Sequence, residues 1–246
     1  MCKLLSGSFG TLTVLTELSV KVLPKPETSK TLIINNPHVK KALEYLGKSL
    51  SSSVDPSGGV FYPESFEKHF TFNDLTHQGA LTGIRIEGPS ISVDERIKRL
   101  CKELDLLVNE YSILDVEQSN IFWNKTRNLE VFSNTKKNLV RIVVPISETL
   151  NLLQKLKNID FSYFLDWGGS LIWFELNDIS IKILNEIREI TKQHNGYFTL
   201  IKVEEDMKAS ADIFTIDQIK YKISEKIKKS FDPKRILNPG KMYTGI

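Results

Sequence analysis

The residues best suited to chemistry lie near the two ends of the chain. Ser6-Gly7-Ser8-Phe9-Gly10-Thr11 combines two glycines with three hydroxyls. Glycine tolerates positive φ and lets another molecule approach the backbone closely. Successive amides in such a turn make a concave donor surface, which the hydroxyls of Ser6, Ser8 and Thr11 extend toward a nucleotide ligand. The plainer reading is a turn that leads into a strand. At the other end, Asn238-Pro239-Gly240-Lys241 reads as a turn that pins the C-terminus.

Acid–base and metal chemistry is thinly represented. The histidines are His38, His69, His77 and His194, and no two have the close spacing of a metal pair on a helix or strand. Glu67, His69, Asp74 and His77 form a loose cluster that reads as a solvated loop. Asp166, just before Gly168-Gly169, reads as a turn or capping residue, and Arg85 and Arg141 are candidates for a carboxylate site by charge alone. No catalytic residue and no metal site are assigned.

The elements that must position these residues follow from hydrophobic period. Leu12, Val14, Thr16, Leu18, Val20 and Val22 alternate with Glu17, Ser19 and Lys21, the period of a strand with one face on a core. Pro24 and Pro26 end it, and a new unit begins near Thr31. TLIINN predicts a strand, Asn36-Pro37 a helix start, and Val39, Leu43 and Leu46 the apolar stripe of a helix to about Leu50. GVFYPESF and ALTGIRIEG read as strands. Ser92 with Glu95 suggests a capping box for a helix that buries Ile97, Leu100, Cys101 and Leu104. There follow a strand at 138–146, a helix from Ser147, a strand pair around FLDWGGSLIWFEL, a helix from Ile179 that Gly196 terminates, and the strand YFTLIKVE. A last helix from Thr215 carries Ile216, Ile219, Ile223 and Ile227 as its buried stripe, with lysines 220, 222, 226, 228 and 229 as a solvated face. The alternation gives an α+β fold, helices packed on one side of a mainly antiparallel sheet.

Composition excludes several function classes. With 246 residues, 41% hydrophobic and 26% charged, the chain can bury one substantial core or two small ones. The net charge of +3 comes from dispersed lysines and forms no phosphate-binding stripe, so nucleic acid is not an expected partner. Cys2 and Cys101 make no disulfide framework, which fits a reducing cytoplasmic setting. No apolar run approaches the ~20 residues that cross a bilayer.

Four segments carry a family resemblance. GSFGTLTVLTELSVKVLPKP, IRIEGP, FLDWGGSLIWF and FDPKRILNPGKMY resemble, in order from Lys3 to Tyr243, the FAD-binding accessory subunit of bacterial glycolate oxidase. That subunit belongs to the p-cresol methylhydroxylase type of FAD-linked oxidases, and Asp166-Trp167-Gly168-Gly169 points to the accessory subunit in particular. The resemblance implies that the chain matches the C-terminal portion of such a protein. Residues 1–27 would be the end of the FAD-binding domain, 28–205 an α+β cap, and 206–246 a helix and tail that return to the flavin. It implies that Gly7, Ser8, Gly10 and Thr11 line an FAD cavity that is incomplete on this chain, with Asn238 and Lys241 near the isoalloxazine ring. An ammonium there would stabilise the charge of reduced flavin.

Implied partners are a catalytic flavoprotein subunit, an iron-sulfur subunit, and a separately encoded N-terminal half, with association at the inner membrane face only through those subunits. Catalytic relatives activate the substrate hydroxyl with a histidine pair and a Glu-His-Gly segment. Here the comparable stretches, DWGGSLIWF and KASADIFTIDQ, hold no histidine, so no general base is evident. The expected role is to hold flavin and support electron transfer in glycolate oxidation. The competing reading is a module that folds and binds a partner but no flavin. Val14, Leu18 and Val22 are expected to leave an apolar edge prone to association.

Overall fold

The computed structural model describes residues 2–35, 38–69, 79–133, 137–177, 180–203, 207, 212–215, 217–243 and 246, with the side chains of 68 and 69 left aside. Eight strands form one sheet: β1 (Thr28–Asn35), β2 (Gly58–Tyr62), β3 (Leu81–Gly88), β4 (Tyr111–Leu114), β5 (Asn138–Val143), β6 (Phe161–Asp166), β7 (Leu171–Leu176) and β8 (Tyr197–Lys202). Their order is β4-β1-β3-β2-β6-β7-β5-β8, and every pairing is antiparallel.

That order is one motif used twice. Each half runs strand, helix, strand, strand, helix, strand, with its fourth strand beside its first: β4-β1-β3-β2 in one, β8-β5-β7-β6 in the other. The halves meet through their second strands, where Phe61 lies opposite Leu165. Helices α2 (Val39–Ser51) and α3 (Ser90–Glu103) serve the first half, α5 (Ile146–Leu156) and α6 (Ile181–Gln193) the second. All four cover the same sheet face. Tyr45, Leu46, Ile97, Leu100, Leu152 and Ile187 pack there on Ile84, Ile142, Ile172 and Phe174 in one continuous core.

The opposite face is covered only in part. α4 (Val116–Arg127) crosses β1, β3 and β2 and carries Phe122 into a second cluster with Ile33, Val60, Tyr62 and Phe164. Its start is a capping box: Asp115 accepts from the Gln118 amide at 2.9 Å, and the Asp115 amide donates to the Gln118 side chain at 3.2 Å. Two strand glycines let it come this close. A Cβ on Gly58 would meet Trp123 at 2.8 Å, and one on Gly83 would meet Phe122 at 2.9 Å.

Most expected elements form, and three expectations are corrected. Residues 12–22 are not a strand; they run as irregular chain with Val14, Leu18, Val20 and Val22 exposed, because among the described residues no neighbouring strand supplies a ladder. Ser92 and Glu95 make no capping box: α3 begins at Ser90 after Pro89, and Glu95 pairs with Lys98 at 2.8 Å. On the last helix, α7 (Gln218–Phe231), Ile219 and Ile223 are exposed and Ile227 half-buried, whereas Lys228 is fully buried. Ile216 and the Asn36-Pro37 helix start lie outside the described residues. Strand β4 and helix α4 are additions that the period-based reading passed over. A short helix, α1 (Cys2–Leu5), precedes the glycine turn.

Candidate functional site

The two ends of the chain meet. Asn238 Nδ2 donates to the Phe9 carbonyl at 2.9 Å, and it fills the place where a Cβ on Gly10 would sit, 2.7 Å away. Thr11 is buried, its hydroxyl donating to the Ser8 carbonyl at 2.7 Å. Lys228 ties the assembly together. Its ammonium donates to the Thr11 carbonyl at 2.7 Å, to the Leu237 carbonyl at 2.8 Å and to Asp232 Oδ2 at 2.7 Å. A buried ammonium needs such a full set of acceptors to offset its lost hydration. Asp232 in turn accepts from the amides of Ile236 and Leu237. The hydrogen bond from Lys228, followed by those amides, holds its carboxyl down at about 2.

Of the six residues assigned to a cofactor by resemblance, Gly7, Ser8, Gly10, Thr11 and Asn238 are thus drawn into one place. Lys241 stands exposed on the same tail, its amide donating to the Asn238 carbonyl at 3.2 Å. The donor surface is narrower than the sequence suggests. The amides of Ser6, Ser8 and Thr11 are spent on internal turns, and those of Gly7, Phe9 and Gly10 donate to no backbone carbonyl among the described residues. Gly7 has φ 81° and nothing within 4 Å of a Cβ position, so that side of the turn is open. A cavity of about 140 Å³ lies between this turn, α7 and Tyr243. The lysine pattern of α7 predicts Lys228 on a solvated face; the fold turns it inward, fully buried.

A second site lies on the open sheet face. Beside α4, a cleft of about 980 Å³ is lined by Arg85, Trp123, Arg141, Asp166, Trp167 and Trp173, among others. The alternation of β5 and β7 places Arg141 directly opposite Trp173. The Arg141 guanidinium stacks 4.7 Å from the Trp167 ring and 6.0 Å from that of Trp173. Arg85 lies 4.9 Å from Trp123, donates to the Ser57 hydroxyl at 3.0 Å and pairs with Glu87 at 3.5 Å.

The hairpin Asp166-Trp167-Gly168-Gly169 holds three successive residues at positive φ, 51°, 65° and 96° from Trp167 onward. For tryptophan that is a strained conformation. Tight packing keeps it: a Cβ on Gly168 would run into Leu50, one on Gly169 would meet Leu43 at 2.6 Å, and Thr149 donates to the Gly169 carbonyl at 2.7 Å. Asp166 takes the turn role read for it, accepting from the Trp167 amide at 2.7 Å. Burial raises its carboxyl above the ordinary range, against the opposing pull of that amide, Arg141 and Arg85.

His38 and His194 line neither site. His194 Nδ1 lies 2.8 Å from Glu148, and His38 is exposed at the start of α2. Asp74 and His77 lie outside the described residues. Among the described residues no three His, Cys, Asp or Glu side chains gather as a metal site, and no helix is long and apolar enough to cross a membrane.

The fold is that of the p-cresol methylhydroxylase type of FAD-linked oxidase. The structure is similar to substrate-bound p-cresol methylhydroxylase, with a TM-score of 0.61 at 13% identity, over 89% of this chain and 53% of that one. It is similar also to alkyldihydroxyacetonephosphate synthase, with a TM-score of 0.60 at 18% identity, over 95% of this chain and 48% of that one. No family model matches. Among curated proteins, the chain is 25% identical to glycolate oxidase subunit GlcD of Bacillus subtilis over 99% of its length. It is 25% identical to glycolate oxidase subunit GlcE of Escherichia coli over 100%. Both are glycolate oxidase subunits, the kind of protein that the four sequence segments resemble. The chain spans 57% and 58% of their lengths.

Proposed function

We propose that the chain is the C-terminal portion of an FAD-linked oxidoreductase subunit of the glycolate oxidase kind. In this reading residues 1–27 and 206–246 belong to the flavin-binding lobe and residues 28–205 form its cap. The observation that carries the reading is the junction of Ser6–Thr11 with the Asn238 tail through Lys228, since these are the segments that the resemblance assigns to one flavin wall.

The residues present fit part of such a wall. Among the described residues the amides of Gly7, Phe9 and Gly10 have no backbone partner, the turn is open at Gly7, and Asn238 bonds the Phe9 carbonyl. When bound, FAD would accept the hydride of a 2-hydroxy acid such as glycolate. The turn amides would hold the cofactor, and the Lys241 ammonium would place positive charge beside it. The remaining contacts to the pyrophosphate would come from protein outside these residues, on the same or a separately encoded polypeptide. A catalytic flavoprotein subunit and an iron-sulfur subunit would be the electron-transfer partners, in the cytoplasm or at the inner membrane face.

The test is the absorbance of bound flavin. The chain is purified alone and together with a polypeptide covering the remaining length of the glycolate oxidase relatives. Flavin that co-purifies with the pair and is lost in Gly7→Val/Gly10→Val supports the proposal. A folded pair that never carries flavin sinks it and leaves a flavin-free interaction module.

A further inference from the structure

We infer that the outer edge of β4 is a docking site for an extended segment of a partner protein, one with a single acidic residue followed by apolar side chains. The inference stands on the internal repeat of the sheet body and is independent of the proposed flavin chemistry.

The two halves repeat along the helix that precedes each outer strand. Val93, Ile97 and Leu100 of α3 face the core as Ile183, Ile187 and Ile190 of α6 do, at one constant offset in sequence. At the same offset Lys98 matches Arg188, and Lys102 matches Lys192. Both helices end alike, with Asp105 and Asn195 at φ 54° and 55°. The strands that follow, β4 and β8, turn Tyr111 and Phe198 toward the helix-covered core.

The outer edges differ. Beside β8, the Leu200 amide donates to the Ile213 carbonyl at 2.8 Å, Thr199 forms an antiparallel bridge with Phe214, and Arg188 donates to the Asp212 carbonyl. Beside β4 no such segment lies among the described residues. A groove of about 870 Å³ runs there between α3 and β4, lined by Lys98, Lys102, Leu106, Leu107 and Tyr111 among others. Leu107, Val108 and Ile113 are exposed around it. The Glu110 carbonyl accepts from the Asn35 amide of β1, so alternation turns the backbone groups of Ser112 and Leu114 toward β1 and those of Tyr111 and Ile113 outward. An open apolar edge of this kind is a template for strand addition.

The segment on β8 indicates what β4 would accept. Its Asp212 stands by Arg188, whose guanidinium feels that charge, and Ile213 and Phe214 follow. At β4 the matching cation is Lys98, with Lys102 on the next turn, and Leu106, Leu107 and Tyr111 form the apolar wall. Lys98 is bonded to Glu95 at 2.8 Å, but both side chains are largely exposed, and such a pair contributes little and exchanges readily. Glu95 and Asp105 also line the groove and disfavour a segment with several acids.

The experiment is fluorescence anisotropy of a labelled peptide, SADIFTI, the sequence of residues 210–216, titrated with the purified chain. Saturable binding is expected, with a scrambled peptide of the same composition at least about tenfold weaker. Ile113→Pro removes the outward amide without touching the β1 ladder and should weaken binding at least about tenfold. Lys98→Glu, on an exposed side chain, should weaken it at least about threefold, and asparagine in place of the peptide's aspartate should do the same. Circular dichroism checks that each variant is folded. Absence of saturable binding, equal binding of the scrambled peptide, or equal binding by folded Ile113→Pro overturns the inference; if Ile113→Pro does not fold, Lys98→Glu decides. Binding that survives Ile113→Pro and falls in Arg188→Gln puts the peptide at the β8 edge and overturns it as well.

Discussion

The apolar residues of the chain live in two different surroundings. In the sheet body, Leu32, Ile84, Ile142 and Ile172 have no exposed surface, each enclosed between a sheet and a helix. In the terminal segments, Val14, Leu18 and Val22 are 71%, 70% and 78% exposed and Ile219 is 74% exposed. The residue types are the same. What differs is whether a second layer lies across from them: the body has two βαββαβ units whose helices close one face, whereas the terminal segments are held by the Lys228 hydrogen bonds, by the Phe9, Phe214 and Tyr243 rings and by a bridge from Phe214 to Thr199 of β8. Cohesion in the body is therefore hydrophobic, and at the ends a small apolar contact, with Leu12 and Ile246 buried, is joined by polar, directional bonds to Lys228.

The sharpest way to test that contrast is a cavity in the body. Ile172→Ala in the middle of β7 removes buried methyl groups with no room for helices α5 and α6 to collapse. It is expected to cost about 2–5 kcal/mol, read as a fall in the denaturant midpoint at unchanged slope. Next comes the lysine at the ends. Lys228→Met leaves the Thr11 and Leu237 carbonyls and the Asp232 carboxylate without their shared donor. The expected result is local: residues 6–12 and 232–243 become accessible to protease while the sheet body stays resistant. If Lys228→Met instead unfolds the whole chain in one transition, the two regions are one cooperative unit and the contrast fails.

This contrast also explains what the sequence could and could not reveal. Strand and helix periods were readable where each element meets a second layer, as with TLIINN, ALTGIRIEG and the helix of Ile97 and Leu100. The same period misled for residues 12–22 and for Ile219 and Ile223, because alternation records the need for a partner surface and not its presence. Helix α4 escaped because its buried residues, Ser119, Phe122 and Thr126, form a narrow and partly polar stripe. Its Asp115–Gln118 capping box is the sequence signal that marks its start. Of the sites, the turn and the tail were legible as motifs. The Lys228 junction and the pairing of Arg141 with Trp173 were not, since each depends on strand register or on contacts across more than 200 positions.

The ends should also respond to acid. Asp232 has its carboxyl lowered from 3.8 to about 2, mainly by the Lys228 hydrogen bond. A carboxylate whose folded value is depressed contributes stability above its unfolded value and loses it as pH falls through the folded one. Loosening of the tail is thus expected as pH drops from about 4 toward 2, seen as shifts of the Ile236 and Leu237 amide resonances. Lys228→Met should abolish that pH dependence. A smaller effect is expected at the glycines. Gly10→Ala combines φ 71° with a 2.7 Å contact on Asn238, whereas Gly7→Ala faces open space at φ 81°. Both carry roughly 1 kcal/mol of backbone strain, and only Gly10→Ala should also displace Asn238 and raise protease cleavage of the tail.

The smallest stability change belongs to the exposed apolar segment. Leu18 is 70% exposed and touches no core, so Leu18→Ser removes almost no buried surface and should shift stability by less than about 0.5 kcal/mol. Its effect should appear in association instead. A run with Val14, Leu18, Val20 and Val22 on alternate positions and no ladder partner offers an unpaired, apolar edge to any chain that can extend a sheet. Light scattering across a concentration series should show the parent chain self-associating and Leu18→Ser/Val20→Ser remaining monomeric at the same denaturant midpoint. A parent chain that stays strictly monomeric would show that irregular backbone alone blunts the edge, and a large loss of stability in the double variant would show that residues 12–22 share in the core after all.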